Sequence, residues 1–369
     1  MPRAAGSGGT FHRIPAYIAH RSTGTDVWLI EFTYNFEQSL KYPSGTRRFT
    51  EVGLYTIKEF VCVCAMSFRF RQADCEVLKC LAEYRMLTMG QLAAVLGKGI
   101  QTVRRRLRDF GRQELLVKIG QESGRKRGRP ESLVALTRQG VHLLKEKGLI
   151  DRNVPDERMV LDNLCGVDHQ VLLNWLRIHL LQVGRVMPRL RIKFLSHNSP
   201  FLPNLTRGCM LYLTDLSPVE GPAGGEVRFT PDAVFGTTDS VAGKTCLFFL
   251  EVDCGAETLA SPRRDMTDIR QKVVNYQWYF RNQRYKRHEQ VFGCALRGFR
   301  LLFLTTTLGR LTAMCGLIQE MPPSNFIWLT CSERLFADGI SSKIWAKGGD
   351  LRSPQQSIFG SLCCRDPLA

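Results

Sequence analysis

Thr245-Cys-Leu-Phe-Phe-Leu-Glu-Val-Asp253 joins a short apolar run to two closely spaced acids. Bounded by Gly243-Lys244 and Gly255, its apolar run is too short for a helix of the usual ~11 residues and reads as a strand covered on both faces. A covered strand has no solvent of its own to stabilise charge, so Glu251 and Asp253 at its end are expensive unless something binds them. The strand period of two points both to the same side. Upstream, Pro231-Asp232 opens another short apolar run, and Asp232 is expected to complete a cluster of oxygens suited to a hard divalent cation.

Composition narrows the class. With 369 residues, 44% of them hydrophobic, the chain can bury a full core and is expected to form two domains plus an extension. Lys and Arg number 51 against 34 Asp and Glu, and the resulting +17 favours a polyanionic partner, nucleic acid ahead of an anionic membrane. No apolar run approaches the ~18 to 20 residues of a membrane span, and the N-terminus lacks the order of a signal peptide, so a cytoplasmic protein without a membrane partner is expected. The 13 cysteines are scattered, and Cys62-Val-Cys64 and Cys363-Cys364 lack the Cys-x-x-Cys spacing of a zinc site. Cys246 and Cys294, inside apolar runs, read as reduced core thiols.

Residues 1–72 show no lasting helical period and read as a disordered extension, and Met66 stands as an alternative start just before the first convincing helix. From Asp74 a pattern emerges. Val77, Leu78, Leu81, Ala82 and Tyr84-Arg-Met86 carry amphipathic spacing. Thr88 caps a short helix, Met89 to Leu96, which stops at Gly97-Lys-Gly99. A third helix runs from Ile100 to Gln113, with Val103, Leu107 and Phe110 on one side. Gln101, Thr102, Arg104, Arg105, Arg106 and Arg108 occupy the rest. Strands at Leu115–Ile119 and Leu133–Leu136 flank a loop containing Gly124-Arg-Lys-Arg-Gly-Arg-Pro130, and a closing helix includes Val141-His-Leu-Leu144.

This unit, residues 73–150, resembles a winged helix-turn-helix DNA-binding domain, whose third helix lies in the major groove. Arg127-Gly-Arg-Pro130 is similar to the AT-hook, which places arginines in a narrow minor groove. The expected contacts to double-stranded DNA are Gln101, Thr102, Arg104, Arg105, Arg108, Arg125, Lys126, Arg127 and Arg129. A second copy of the chain, in a homodimer, is the other expected partner. His142 and His169 read as ordinary packing or capping residues.

Residues 151–162, with Pro155 and several charges, read as a linker, 163–348 as the second domain and 349–369 as a tail. The order in the second domain is a long apolar helix ending near Gly184, then strand candidates at Leu190–Leu195, Met210–Leu213 and Val227–Phe229, and the Pro231-Asp232 step. After the Glu251-Val252-Asp253 strand come a helix from Arg263 to Asn282, a strand from Phe299 to Thr305, a helix from Gly309 to Gln319, and a strand from Phe326 to Leu329. This is an α/β order, α+β overall, whose last strands are expected to be parallel.

The same order, with Asp232 and Glu251-Val252-Asp253, resembles the PD-(D/E)xK restriction-endonuclease-like core. Such a core uses Mg²⁺, held by two or three carboxylates, to neutralise a phosphodiester and activate water. On this reading Asp232, Glu251 and Asp253 are both the metal ligands and, with Lys272, the catalytic set. The lysine of the pattern normally stands where this chain has Asp253, a swap of cation for anion. Lys272 on the following helix is expected to replace it, Arg270 is a second candidate, and a snorkelling surface lysine is the alternative.

Phe229-Thr-Pro-Asp-Ala-Val-Phe235, then Phe248-Phe-Leu-Glu-Val-Asp-Cys-Gly-Ala-Glu-Thr258, then Lys272 with Tyr276 and Tyr279 resemble the replication-relaxation family of bacterial plasmids and mobile elements. Cys254 stands where family members often have Arg. The resemblance implies DNA binding and relaxation during plasmid replication. Three readings stay open: a DNA-binding factor with a silent nuclease-like domain, an Mg²⁺-dependent endonuclease or nickase, and a winged-helix transcription regulator.

Overall fold

Local signals place the first helices. Helix α1 (Gln72–Tyr84) buries Val77, Leu78, Leu81 and Ala82 on one stripe, and Asp74 accepts the Arg71 N–H at 2.6 Å at its start. It ends at Tyr84, because Arg85 takes a positive φ of 61°. In α2 (Met89–Leu96), the Thr88 hydroxyl accepts the Gln91 N–H at 3.2 Å and the Gln91 side chain accepts the Thr88 N–H at 3.0 Å, a reciprocal cap. Gly97, at φ 61°, closes α2 in the left-handed region. Helix α3 (Ile100–Arg112) buries Val103, Leu107 and Phe110.

The computed structural model describes residues 70–120, 132–161, 166–197, 199–202, 213–218, 226–261 and 268–362, together with residue 368 and the backbone of five short strands near the N-terminus. These strands are β1 (His12–Arg13), β2 (Ala19–Arg21), β3 (Trp28–Ile30), β4 (Phe32–Asn35) and β5 (Tyr55–Ile57). Two compact units divide the chain, Met1–Arg69 and Phe70–Ala369. In the first, β4 pairs antiparallel with β1 and β5, and β2 with β3.

In the second unit, β6 (Met86–Thr88) joins β7 (Leu116–Ile119) and β8 (Leu133–Leu136) in a three-stranded sheet of order β6-β8-β7, and α4 (Arg138–Glu146) follows. Helix, strand, helix, helix, strand, strand is the winged helix-turn-helix order. Strand β6 corrects the reading that continued α1 to Met86. Its three residues extend because β8 supplies their partners. Gly140 is required on steric grounds, since a Cβ there would stand 2.2 Å from the Leu115 carbonyl oxygen. The wing loop with Arg125, Lys126, Arg127 and Arg129 lies outside the described residues.

The stretch read as a linker is packed. Val154 and Met159 are buried, Lys145 pairs with Asp156 at 2.5 Å, and Val160 bridges to Leu136. Beyond it run α5 (Val167–Val186), β9 (Leu190–Ser196), β10 (Asp215–Pro218), β11 (Glu226–Phe229), β12 (Ala233–Asp239) and β13 (Lys244–Asp253). Then come α6 (Ile269–Arg281), α7 (Glu289–Phe292), β14 (Arg300–Thr305), α8 (Leu308–Gln319), β15 (Ile327–Cys331), α9 (Ser332–Asp338) and β16 (Ala346–Lys347). Most of the Met210–Leu213 strand candidate lies outside the described residues, and Leu213 is a buried turn residue.

The main sheet has the order β16-β15-β14-β13-β12-β9. As expected, β13, β14 and β15 are parallel, while β9, β12 and β13 are antiparallel neighbours. Leu247 and Phe249 of β13 pack with Val273 and Tyr276 of α6 and Met314 of α8. Phe248, Leu250 and Val252 pack on the other face with Leu176 and Leu180 of α5 and with Trp345. A central strand covered on both faces explains why β13 reads as a continuous apolar run. Ile358 and Phe359, in the stretch read as a tail, are buried in that second cluster. Cys246 is exposed, unlike the core thiol expected, whereas Cys294 is half-buried against the first cluster and Cys315 and Cys331 are buried.

Helix α5 also docks on the three-helix region. Asn174, buried, donates to the Met86 carbonyl at 2.6 Å, and Gln91, buried, donates to the Val171 carbonyl at 2.8 Å. Gln182 donates to the Ala94 carbonyl at 2.7 Å and Arg185 to the Val95 carbonyl at 2.6 Å. Arg177 bonds to Glu83 and lies over the Tyr84 ring at 4.1 Å. Buried polar side chains of this kind need such partners, and here they tie the two sheets together. Among the described residues, no helix is long and apolar enough to cross a membrane.

Candidate functional site

Two sets of charged side chains stand at the end of β13, and a third lies along α3. Strand alternation places Glu251 and Asp253 on the same face as Phe249, toward α6 and α8. Their surroundings then diverge.

Glu251 is buried and both of its oxygens are engaged. Oε1 accepts the Tyr276 hydroxyl at 2.5 Å, and Oε2 accepts Lys272 Nζ at 3.1 Å. Lys272 Nζ also donates to Glu257 Oε1 at 2.7 Å. The helix spacing of four residues sets Lys272 and Tyr276 one turn apart on α6, so a single carboxylate receives both. Burial pushes Glu251 up to about 7, against the pull of the Lys272 ammonium. Burial would lower Lys272, but Glu251 and Glu257 outweigh it and hold the ammonium above its ordinary value. Burial, reinforced by Glu251, raises the Tyr276 hydroxyl well above its usual range.

Asp232 stands in the bend before β12. Its Oδ2 accepts the Val252 N–H at 2.7 Å and lies 2.9 Å from His169 Nε2 of α5. Burial acts to lower His169, yet the Asp232 carboxylate prevails and its protonation is favoured beyond the ordinary histidine range. Nearby His197 is shifted down, by burial first. Asp232 is close enough to Glu251 to oppose its ionisation.

Asp253 belongs elsewhere. Its Oδ2 accepts Arg310 Nε at 2.6 Å and its Oδ1 accepts Arg310 Nη2 at 3.1 Å, a two-point pair brought from the first turn of α8. Gly255 N–H adds a bond to Oδ1 at 3.1 Å. Asp253, expected to join Asp232 and Glu251 around one cation, is thus held by a guanidinium, as Glu251 is held by the Lys272 ammonium. Among the described residues, no three His, Cys, Asp or Glu side chains are grouped to hold a metal ion.

Lys272 turns toward Glu251 and Glu257 and keeps 23% of its side chain exposed, so it differs from a surface lysine that only snorkels to solvent. Arg270 is half-exposed and faces Glu320 at 4.0 Å. His169 differs from the packing role expected of it, through its bond to Asp232. His142 is an exposed partner of Glu146 at 3.1 Å. Sequence reasoning missed Arg310, for which no spacing rule exists, and left Tyr276 and Glu257 without roles. The four-residue step from Lys272 to Tyr276 was the available signal.

On α3, the side chains of Gln101, Thr102, Arg104, Arg105 and Arg108 are exposed beside the buried Val103, Leu107 and Phe110. Arg106 is different: it forms a two-point pair with Asp74 and lies 5.3 Å from the Phe110 ring centroid, so it braces α3 against α1.

A family model described as replication-relaxation matches residues 78–294, from α1 past the end of α7. No curated protein matches the chain, and no solved structure does. The matched span includes α3, Asp232, Glu251 and Lys272 but stops short of Arg310. It covers more than half of the sequence, and the chain belongs to the replication-relaxation family.

Proposed function

We propose that this protein binds duplex DNA through α3 and acts in the replication-relaxation of a plasmid or other mobile element. The observation that carries the reading is the α3 surface, where Arg104, Arg105 and Arg108 are exposed with Gln101 and Thr102 while the apolar stripe is buried. Family membership supports the replication role. In the major groove, amide and hydroxyl side chains read base edges and arginines hold phosphates or guanine. The wing cations Arg125, Lys126, Arg127 and Arg129 extend the interaction into the adjacent minor groove. The test is duplex binding between 50 and 200 mM salt. Arg104→Ala/Arg105→Ala/Arg108→Ala should weaken binding and reduce the log–log salt slope by about 3, since each phosphate no longer neutralised removes about 0.9. An unchanged slope would end this reading.

A second reading is favoured by one observation, the 3.1 Å approach of Lys272 to Glu251 beside Asp232. In it the sheet domain is an Mg²⁺-dependent endonuclease or nickase. Asp232 and Glu251 would hold the metal, which supplies charge neutralisation at the phosphate, and Lys272 would stabilise the phosphate or orient water. Conversion of supercoiled plasmid in Mg²⁺, abolished in both Glu251→Gln and Lys272→Ala, supports it. Tight DNA binding with no conversion rejects it.

A further inference from the structure

A second concentration of cations lies away from α3, at the far end of α6. Arg281, Arg284, Lys286, Arg287 and Arg297 come from one short stretch of sequence, and aromatic packing gathers them. Tyr285 sits 5.8 Å from the Phe280 ring and 5.7 Å from the Phe299 ring. A Cβ at Gly298 would lie 3.3 Å from the Phe280 ring, so the loop carrying Arg297 is pressed against the turn carrying Arg281. Helix rise puts about 14 Å between Lys272 and Arg281, which makes this surface distinct from the acid–lysine cluster.

Two of the five cations are held in place. Arg284 bonds to Asp215 at 2.7 Å and Arg287 to the same carboxylate at 3.1 Å, and Arg284 lies 5.9 Å from the Trp278 ring centroid. The Asp215 side chain is 2% exposed, so the two guanidiniums that satisfy it are fixed at the surface. Arg281, Lys286 and Arg297 are exposed, and among the described residues none of them forms an ion pair. A structural role is evident for Arg284 and Arg287, which satisfy buried Asp215, and for neither Lys286 nor Arg297. The helix dipole favours a cation in the last turn of α6, where only Arg281 stands. Among the described residues, Glu226 acts on Arg284 and Glu289 accepts the Leu296 N–H at 2.8 Å.

We infer that this platform is a second duplex-DNA binding surface, gripping phosphates without reading sequence. The inference rests on the reading that the protein binds duplex DNA. Fixed guanidiniums present donors in a fork that matches phosphate oxygens, and unpaired cations beside them release counterions when they meet a polyanion. A membrane surface is less suited to the platform, because an interfacial segment presents large apolar side chains beside its cations. None of the exposed large apolar side chains among the described residues falls between Trp278 and Arg300.

The experiment compares wild type, Arg281→Ala/Lys286→Ala/Arg297→Ala and the α3 triple variant on a random-sequence duplex from 50 to 200 mM salt. The platform variant should weaken binding by the same factor on any sequence and reduce the log–log slope by about 3. Arg281→Lys/Arg297→Lys, which keeps the charge, should retain the wild-type slope, and an unchanged urea midpoint verifies folding. If the platform variant keeps the slope while the α3 variant loses it, the platform is overturned and the α3 reading stands. The converse result supports the platform and removes α3. Loss of binding to phosphatidylserine vesicles with the DNA slope intact would assign the surface to lipid and overturn the proposal.

Discussion

The cations of α3 and the charges at the end of β13 obey opposite rules. On α3, Arg104, Arg105 and Arg108 keep their water, so the fold gains and loses little by having them. At β13, Glu251 and Asp253 have lost their water, and each is answered by a cation from another element, Lys272 of α6 and Arg310 of α8. A charge that is exposed and unpaired is available to a ligand, whereas one that is buried and paired has first to serve stability. Lys272 stands between these cases, since it bridges two carboxylates yet keeps 23% of its side chain exposed.

The largest effect is expected from removing one half of a buried pair. Asp253→Ala leaves the Arg310 guanidinium, only 18% exposed, without its carboxylate, and should cost about 3 to 5 kcal/mol in urea denaturation. Arg310→Ala should cost a similar amount, and the double variant less than the sum of the two. Additive losses would mean that the pair is not the unit that matters.

Tyr276→Phe should cost about 1 to 3 kcal/mol, as it leaves a buried Glu251 oxygen without its donor. The same site sets a pH signature. Glu251 is raised from an ordinary 4.5 to about 7, so between these limits the folded protein binds more protons than the unfolded chain. Its contribution to stability is fully present below pH 4.5 and is lost as pH rises through about 7. His288, held down to about 3 by burial, acts in the opposite sense over much of this window. The difference between wild type and Glu251→Gln isolates the carboxyl: the variant should gain stability relative to wild type as pH rises from 4.5 to 7. A constant difference would place Glu251 in the ordinary carboxylate range.

Histidine titration by NMR provides a smaller test. His169, bonded to Asp232, should titrate above its ordinary 6.5, while His288 stays neutral down to about pH 3. Asp232→Asn should bring the His169 midpoint down. The smallest stability effect belongs to α3, where Arg104→Ala/Arg105→Ala/Arg108→Ala should shift stability by no more than about 0.5 kcal/mol per site while DNA binding falls. Large destabilisation there would show that those cations, like Arg106, brace the fold.

Much of this protein is determined by sequence alone, wherever the governing physics is local. Helix α2 begins at Thr88 and ends at Gly97 because the cap and the left-handed glycine are encoded in adjacent residues. Strand β13 and the shared face of Glu251 and Asp253 follow from an apolar run and the period of two. The exposed face of α3 follows from the spacing of Val103, Leu107 and Phe110. Other features depend on contacts between segments distant in sequence. Strand β6 exists because β8 crosses beside it, which three residues cannot announce. Periodicity put Asp253 on the right face but could not name its partner, since Arg310 arrives from α8 by way of the parallel neighbour β14. Arg106 and Arg105 are adjacent in sequence, yet one meets buried Asp74 and the other meets solvent. Local pattern fixes the direction in which a side chain points, and only the assembled chain fixes what it meets, because desolvation and pairing depend on residues distant in sequence.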